Sequence, residues 1–335
     1  MARYDFTSDN VAGAMPEVLE ALGRFNAGFA ASYGEDEVSA RAGDLIRQLL
    51  DVDAPVWFAA SGTAANALTL AALAAPHEAV IAHEHSHVAT DETGAPAFFG
   101  SGMGMIGLPG ASGRIDESAL REALDRPEHA HAQSAGALSL TQATEYGALY
   151  SEAALAALIG AAKAKGVKVQ LDGARLANAI ATGFDSRAIK RLGVDVLVMG
   201  GTKAGSTPTE AIVLLDKRLE HRFGARLKHG GQLVSKARFL AAPWIGMLEG
   251  GAWAARAGHA NTMATRLASA SPFPVAHPVE ANGVFLTMDE TAYGRLRKSG
   301  WFVWRVLDDS VRFMCSWATT PEAVDELTAT LKAIV

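Results

Sequence analysis

Only one cysteine, Cys315, occurs in the chain, so an internal disulfide is excluded and a reducing compartment is favoured. Positive charge is not in excess either: 30 Lys and Arg stand against 36 Asp and Glu, a net charge of -6. A uniformly basic nucleic-acid surface is therefore not expected. Residues 1–10 are already polar and form no charged-then-apolar leader. The longest stretch without charge, residues 54–76, has the length of a membrane span. It is interrupted by Ser61, Gly62, Thr63, Asn66 and Thr69, and its apolar content is largely alanine. These absences together lead to the expectation of a cytoplasmic protein with no membrane partner. The turn Ser61-Gly62-Thr63 matches neither G-x-x-x-x-G-K-[ST] nor G-x-G-x-x-G, so nucleotide binding there is unsupported. Internal repeats and low-complexity linkers are also lacking.

What is present is a strand–helix rhythm in 335 residues, nearly half of them apolar and rich in Gly and Ala. Short apolar runs at residues 56–60, 79–82, 103–108, 137–140, 167–171, 196–199 and 211–215 read as strands. Helices are expected at 16–24, 38–50, from Ser61-Gly62-Thr63 to Pro76, at 115–125 and from 151 to about 166. Strands alternating with helices of this length predict an α/β fold with a mainly parallel, helix-covered sheet. The rhythm changes after about residue 236. A long helical region over 237–269, strands at 283–288 and 311–317, and a helix starting at Thr320-Pro321-Glu322 predict a smaller C-terminal α/β domain. The expected division is residues 1–15 as a segment contributing to the active site, 16–240 as the large domain and 241–335 as the small one.

Polar groups of distinct chemistry fall at strand ends, where open parallel α/β sheets bind ligands. Lys203 closes the run 196–199 through Gly200-Gly201-Thr202; the glycines mark a turn where the backbone meets something closely. A lysine there is either a surface turn residue, the commoner case, or an amine nucleophile whose hydration is reduced. Ser61-Gly62-Thr63 at a helix start is either a simple cap or an anion cradle for phosphate. Asp172 and Arg175 end another strand, paired to each other or to a ligand. His83, His85 and His87 would share one face of a strand and hold zinc, although no cysteine or distant histidine completes the set. A single imidazole stacked on a flat ligand and plain surface histidines are the alternatives. Arg312, alone in an apolar strand, is either an edge-strand surface residue or a carboxylate clamp. Amine, phosphate cradle, acid, imidazole and carboxylate clamp together suit pyridoxal phosphate.

The motifs DFTSDN, YGED, ASGTAAN, HVATDETGAP, SLTQATEYGALY, LDGARLANA, MGGTKAG and SVRF occur in that order along nearly the whole chain. In them the sequence resembles the L-threonine aldolases, pyridoxal-phosphate enzymes of aspartate-aminotransferase-like fold type I. The resemblance implies a PLP-dependent retro-aldol cleavage of threonine, allo-threonine and related β-hydroxy-α-amino acids to glycine plus acetaldehyde or another aldehyde. It implies that Lys203 carries the cofactor, Asp172 holds the pyridinium nitrogen, and His87 stacks on the ring. It further implies that Ser61, Gly62 and Thr63 hold the phosphate, and that Ser8, Arg175 and Arg312 bind the carboxylate. Tyr33 would line the site, with Lys236 approaching the phosphate, in a homodimer or homotetramer with shared active sites. Some relatives carry a histidine within the segment matching residues 141–147; here it reads TQATEYG, which leaves His87 or a held water as the base for the β-hydroxyl. A β-eliminating lyase, a zinc hydrolase on the three histidines and a non-enzymatic scaffold are the rival readings.

Overall fold

A computed structural model of the chain describes residues 2–127 and 129–335. Seven strands form the main sheet: β1 (Val56–Ala59), β2 (Glu78–His83), β3 (Gly104–Leu108), β4 (Ser134–Thr141), β5 (Lys168–Gly173), β6 (Val196–Gly200) and β7 (Glu210–Leu214). Their order is β1-β7-β6-β5-β4-β2-β3. The five neighbours from β3 through β2, β4 and β5 to β6 run parallel, while β7 is antiparallel to both β6 and β1. The sheet is thus mainly parallel, as the rhythm predicts, with one reversed strand made by the second run after Lys203.

Strand alternation sends side chains to two apolar layers. Leu197 and Met199 of β6 join the larger core, whereas Val196 and Val198 face the helix Gly62–Leu73. That helix is buried almost throughout, including Asn66 and Thr69. Its burial inside protein, between sheet and the segment 223–229, accounts for the charge-free run at 54–76. Among the described residues no helix is long and apolar enough to cross a membrane.

The expected long helix over 237–269 is two helices, Arg238–Glu249 and Ala252–Ala270. Gly250 and Gly251 separate them, Gly251 at φ 70, a left-handed conformation that glycine adopts without strain. The first helix and the start of the second pack on the large-sheet core; a second core begins at Ala260. It gathers the small sheet, β8 (Gly283–Leu286), β9 (Trp304–Arg305) and β10 (Val311–Met314), with β10 central and antiparallel to both others. The N-terminal segment ties these parts together: Phe6 enters the second core and Met15 the first.

Candidate functional site

Asp172 and Gln170 lie two apart on β5, so both face the helix Gly62–Leu73. Asp172 is buried, and its Oδ2 accepts a 2.9 Å hydrogen bond from Asn66 Nδ2 while Oδ1 accepts from the Ala174 N–H at 2.9 Å. The same Asn66 Nδ2 donates to Glu92 Oε1 at 2.9 Å, and Glu92 Oε1 in turn holds His87 Nδ1 at 2.9 Å. With Glu92 ionised, the His87 proton resides on Nδ1 and Nε2 is the free nitrogen. The Glu92 hydrogen bond raises the His87 pKa; burial and Lys203 oppose it, and Glu145 adds to it. Burial raises the Glu92 carboxyl, with Asp172 adding to the effect against its hydrogen bonds.

The three histidines do not share a strand face. β2 ends at His83, and His87 opens a short helix, His87–Thr90, so the chain turns between them. His83 bonds the Gly110 carbonyl and His85 the Tyr146 hydroxyl. Among the described residues no group of three or more His, Cys, Asp or Glu is placed to hold a metal ion. The rival zinc reading gains no support: the His83 and His85 rings stay neighbours, 5.6 Å apart, but each is engaged elsewhere, and His87 is turned onto Glu92.

Asp172 and Arg175 are not a mutual pair. Arg175, buried at the start of the helix Leu176–Ala181, sends Nε (2.7 Å) and a terminal nitrogen (3.1 Å) to the two oxygens of Asp9. Asn282 also donates to Asp9 at 3.0 Å. Burial alone would raise the Asp9 carboxyl, but the Arg175 guanidinium and Lys203 outweigh it and hold it below its usual value. Ser8 caps the single turn Asp9–Val11, accepting from Asn10 N–H at 3.2 Å. Arg312, half-buried in the middle of β10, is different: its Nε is buried without a partner among the described residues. Burial and the neighbouring Arg175 charge lower its pKa.

Lys203 is half-buried and forms no ion pair among the described residues, yet its charge acts on Asp9, His87 and Glu210. The glycines before it meet the chain itself: a Cβ on Gly200 would lie 2.2 Å from the Ala174 carbonyl, one on Gly201 2.5 Å from that of Thr209. Ser61 caps its helix by accepting from Ala64 N–H at 3.3 Å, leaving the Gly62 and Thr63 N–H groups outside the helix ladder. A Cβ on Gly62 would meet nothing within 4 Å, so the approach to that helix start is open.

Tyr33 and Lys236 are exposed and close to each other, Tyr33 N–H bonding Ser235 O at 3.1 Å with Lys228 over its ring at 4.4 Å. No hydrogen bond or ion pair among the described residues joins either of them to Lys203, Asp172 or His87.

Sequence reasoning misses Asn66, Asp9, Glu92 as a partner of His87, and Glu210. Each is detectable as a polar residue inside an apolar or motif context, which is costly unless bonded. Glu210, buried on β7, accepts from Gly201 N–H at 2.9 Å, and burial raises its pKa from 4.5 to about 7 against Thr202, Gly201 and Lys203. The folded value exceeds the unfolded one, so this group's contribution to stability is complete below pH 4.5 and is lost as pH rises through about 7. Denaturant titrations at pH 5 and pH 8 check this. Relative to Glu210→Gln, the unsubstituted protein is expected to lose up to ~3 kcal/mol between the two pH values.

Comparison with known proteins identifies the family. Residues 5–291 match the beta-eliminating lyase family. A low specificity L-threonine aldolase of Pseudomonas sp. (strain NCIMB 10558) is 41% identical over 98% of this chain and 97% of its own. The solved threonine aldolase of Leishmania major superposes with a TM-score of 0.93 at 28% identity, over 99% of this chain and 100% of that one. A serine palmitoyltransferase from S. paucimobilis, solved with a bound PLP–myriocin adduct, shares the fold alone. Its TM-score is 0.71 at 15% identity, over 100% of this chain and 86% of that one. The chain belongs to the beta-eliminating lyase family and, within it, to the threonine aldolases.

Proposed function

We propose that the protein cleaves L-threonine, L-allo-threonine and related β-hydroxy-α-amino acids, reversibly, to glycine and an aldehyde, with pyridoxal phosphate as cofactor. The observation that carries this reading is Lys203: an amine without an ion-pair partner among the described residues, whose charge reaches Asp9, His87 and Glu210 at once. The donor set fits the cofactor, because the open helix start at Gly62 and Thr63 offers free N–H groups to a phosphate. Lys203 would anchor it, Asp172 would face the ring nitrogen, Ser61, Gly62 and Thr63 would hold the phosphate, and His87 would lie against the ring. When bound, pyridoxal phosphate supplies an electron sink for the pair released as Cα–Cβ breaks.

The chain's own groups do the rest. Arg312 takes the substrate carboxylate in its fork, while the Arg175 fork is already engaged by Asp9. Ser8 and Arg175 would share that carboxylate, Arg175 through the terminal nitrogen that Asp9 leaves free. His87, held through Nδ1 by Glu92, accepts the β-hydroxyl proton at Nε2, assistance on the order of 10²–10⁴-fold. Tyr33 and Lys236, exposed on their own chain, serve the site of a second copy in a homodimer or homotetramer in the cytoplasm.

Product analysis tests the reaction. L-Threonine with the cofactor-loaded protein is expected to give glycine and acetaldehyde in equal amounts; 2-oxobutanoate and ammonia in their place would show β-elimination instead of retro-aldol cleavage and overturn the reading. Arg312→Leu is expected to lower kcat/KM about 10- to 100-fold, mainly through KM, since a charged hydrogen bond is worth roughly 1.5–3 kcal/mol. Arg312→Lys should recover only part, having no fork. Initial rates against L-threonine concentration check both.

A further inference from the structure

One carboxamide sits between the two acids of the site. Asn66 Nδ2 donates to Glu92 Oε1 and to Asp172 Oδ2, both at 2.9 Å. Its orientation is imposed from the other side by a run of fixed donors. The Thr69 hydroxyl donates to the Ala65 carbonyl at 2.7 Å and so receives Gln170 Nε2 at 2.8 Å. Gln170 Nε2 also donates to Asn66 Oδ1 at 3.0 Å, while Gln170 Oε1 accepts from Ser139 Oγ at 3.0 Å. The Asn66 amino group is thereby turned toward the carboxylates and cannot rotate without breaking this set.

We infer that Asn66 is a positioning residue that couples the charge on Asp172 to the proton held by the His87–Glu92 pair. Each carboxylate takes one of the two hydrogens of the same buried amino group, so a change of charge at either repolarises that group and alters how strongly the other is held. The other charged groups acting on His87 are Glu145 and Lys203, and Glu92 also feels Asp172. Neither Glu145 nor Lys203 is hydrogen-bonded to Asn66 among the described residues, so substituting Asn66 leaves their charges in place. The inference rests on the reading of His87 as the base for the β-hydroxyl.

The sign follows from hydrogen-bond chemistry. Asn66→Ala removes a donor from Glu92, so the pair binds its proton more tightly, whichever partner carries it. Glu92→Gln removes the acceptor's charge, and His87 binds its proton less tightly. The acid limb of the kcat/KM profile is therefore expected to move up by about one pH unit in Asn66→Ala and down by a similar amount in Glu92→Gln. The same order is expected in the His87 ring signals of ¹⁵N-histidine-labelled, cofactor-loaded protein titrated without substrate, assigned with His87→Phe. Gln170→Met keeps Asn66 but frees its carboxamide to turn, and should shift both readouts the way Asn66→Ala does, by less. It decides the matter if Asn66→Ala fails to fold. Shifts of one sign in the Asn66 and Glu92 variants, or none in Asn66→Ala and Gln170→Met, overturn the coupling. The NMR titration tests the coupling even if the protein releases no glycine from L-threonine, a result that would count against the reaction instead.

Discussion

Lys203→Ala is expected to give a folded protein that, after pyridoxal phosphate is added and the unbound excess is removed by gel filtration, keeps no lysine-adduct absorption band and forms glycine at least ~10⁴-fold more slowly, as suits the loss of a positioned nucleophile. The fold should tolerate the change because Lys203 has no ion-pair partner among the described residues to leave behind. Its loss does remove a positive neighbour from Asp9 and Glu210, both buried, and their carboxyls should bind protons more readily. Far-ultraviolet circular dichroism, the absorption spectrum and glycine formation separate these effects. A variant that retains both the band and the activity would place the anchoring amine elsewhere.

Arg175→Met is expected to damage stability as strongly as Lys203→Ala damages chemistry. Arg175 and Asp9 are both buried and joined by two hydrogen bonds, 2.7 and 3.1 Å. Removing the guanidinium strands the Asp9 charge with only Asn282 as a side-chain donor among the described residues, and breaking a buried pair in this way costs about 3–5 kcal/mol. The damage should spread, because Asp9 belongs to the N-terminal segment that enters both cores through Phe6 and Met15. Adding Asp9→Asn removes the stranded charge, so the double variant should recover much of the loss. Denaturant unfolding of the two single variants and the double checks it. A single variant less than ~1 kcal/mol below the unsubstituted protein would show that solvent reaches Asp9 freely.

The contrast between the two arginines explains what the sequence can and cannot show. Arg312 stands out locally, one cation within an apolar strand, and its exceptional status survives in the fold as an unpartnered Nε. Arg175 stands out equally, but its partner lies 166 residues earlier, and nothing in local spacing links Asp9 to it. The strands are legible because alternation and apolar runs are local: 196–199 is expected and Val196–Gly200 is found. The break at Gly250-Gly251 is masked by helical periodicity on both sides. The histidines mislead because alternate spacing means a shared face only if the strand continues, and β2 ends at His83. The close approach expected of the glycines before Lys203 is present, but against Ala174 and Thr209, contacts made by chain packing that no motif encodes. Asn66 is visible in the sequence only as a polar interruption in an alanine-rich run. Its role needs Gln170, Glu92 and Asp172 brought around it by the sheet.

The identity of the anchoring lysine can be read directly. Cofactor-loaded protein reduced with borohydride, which fixes the cofactor–lysine bond, and then digested for mass spectrometry should carry the pyridoxyl group on the peptide containing Lys203. The same group found on Lys228 or Lys236, or on no lysine, would contradict the assignment of Lys203 as the centre of this site.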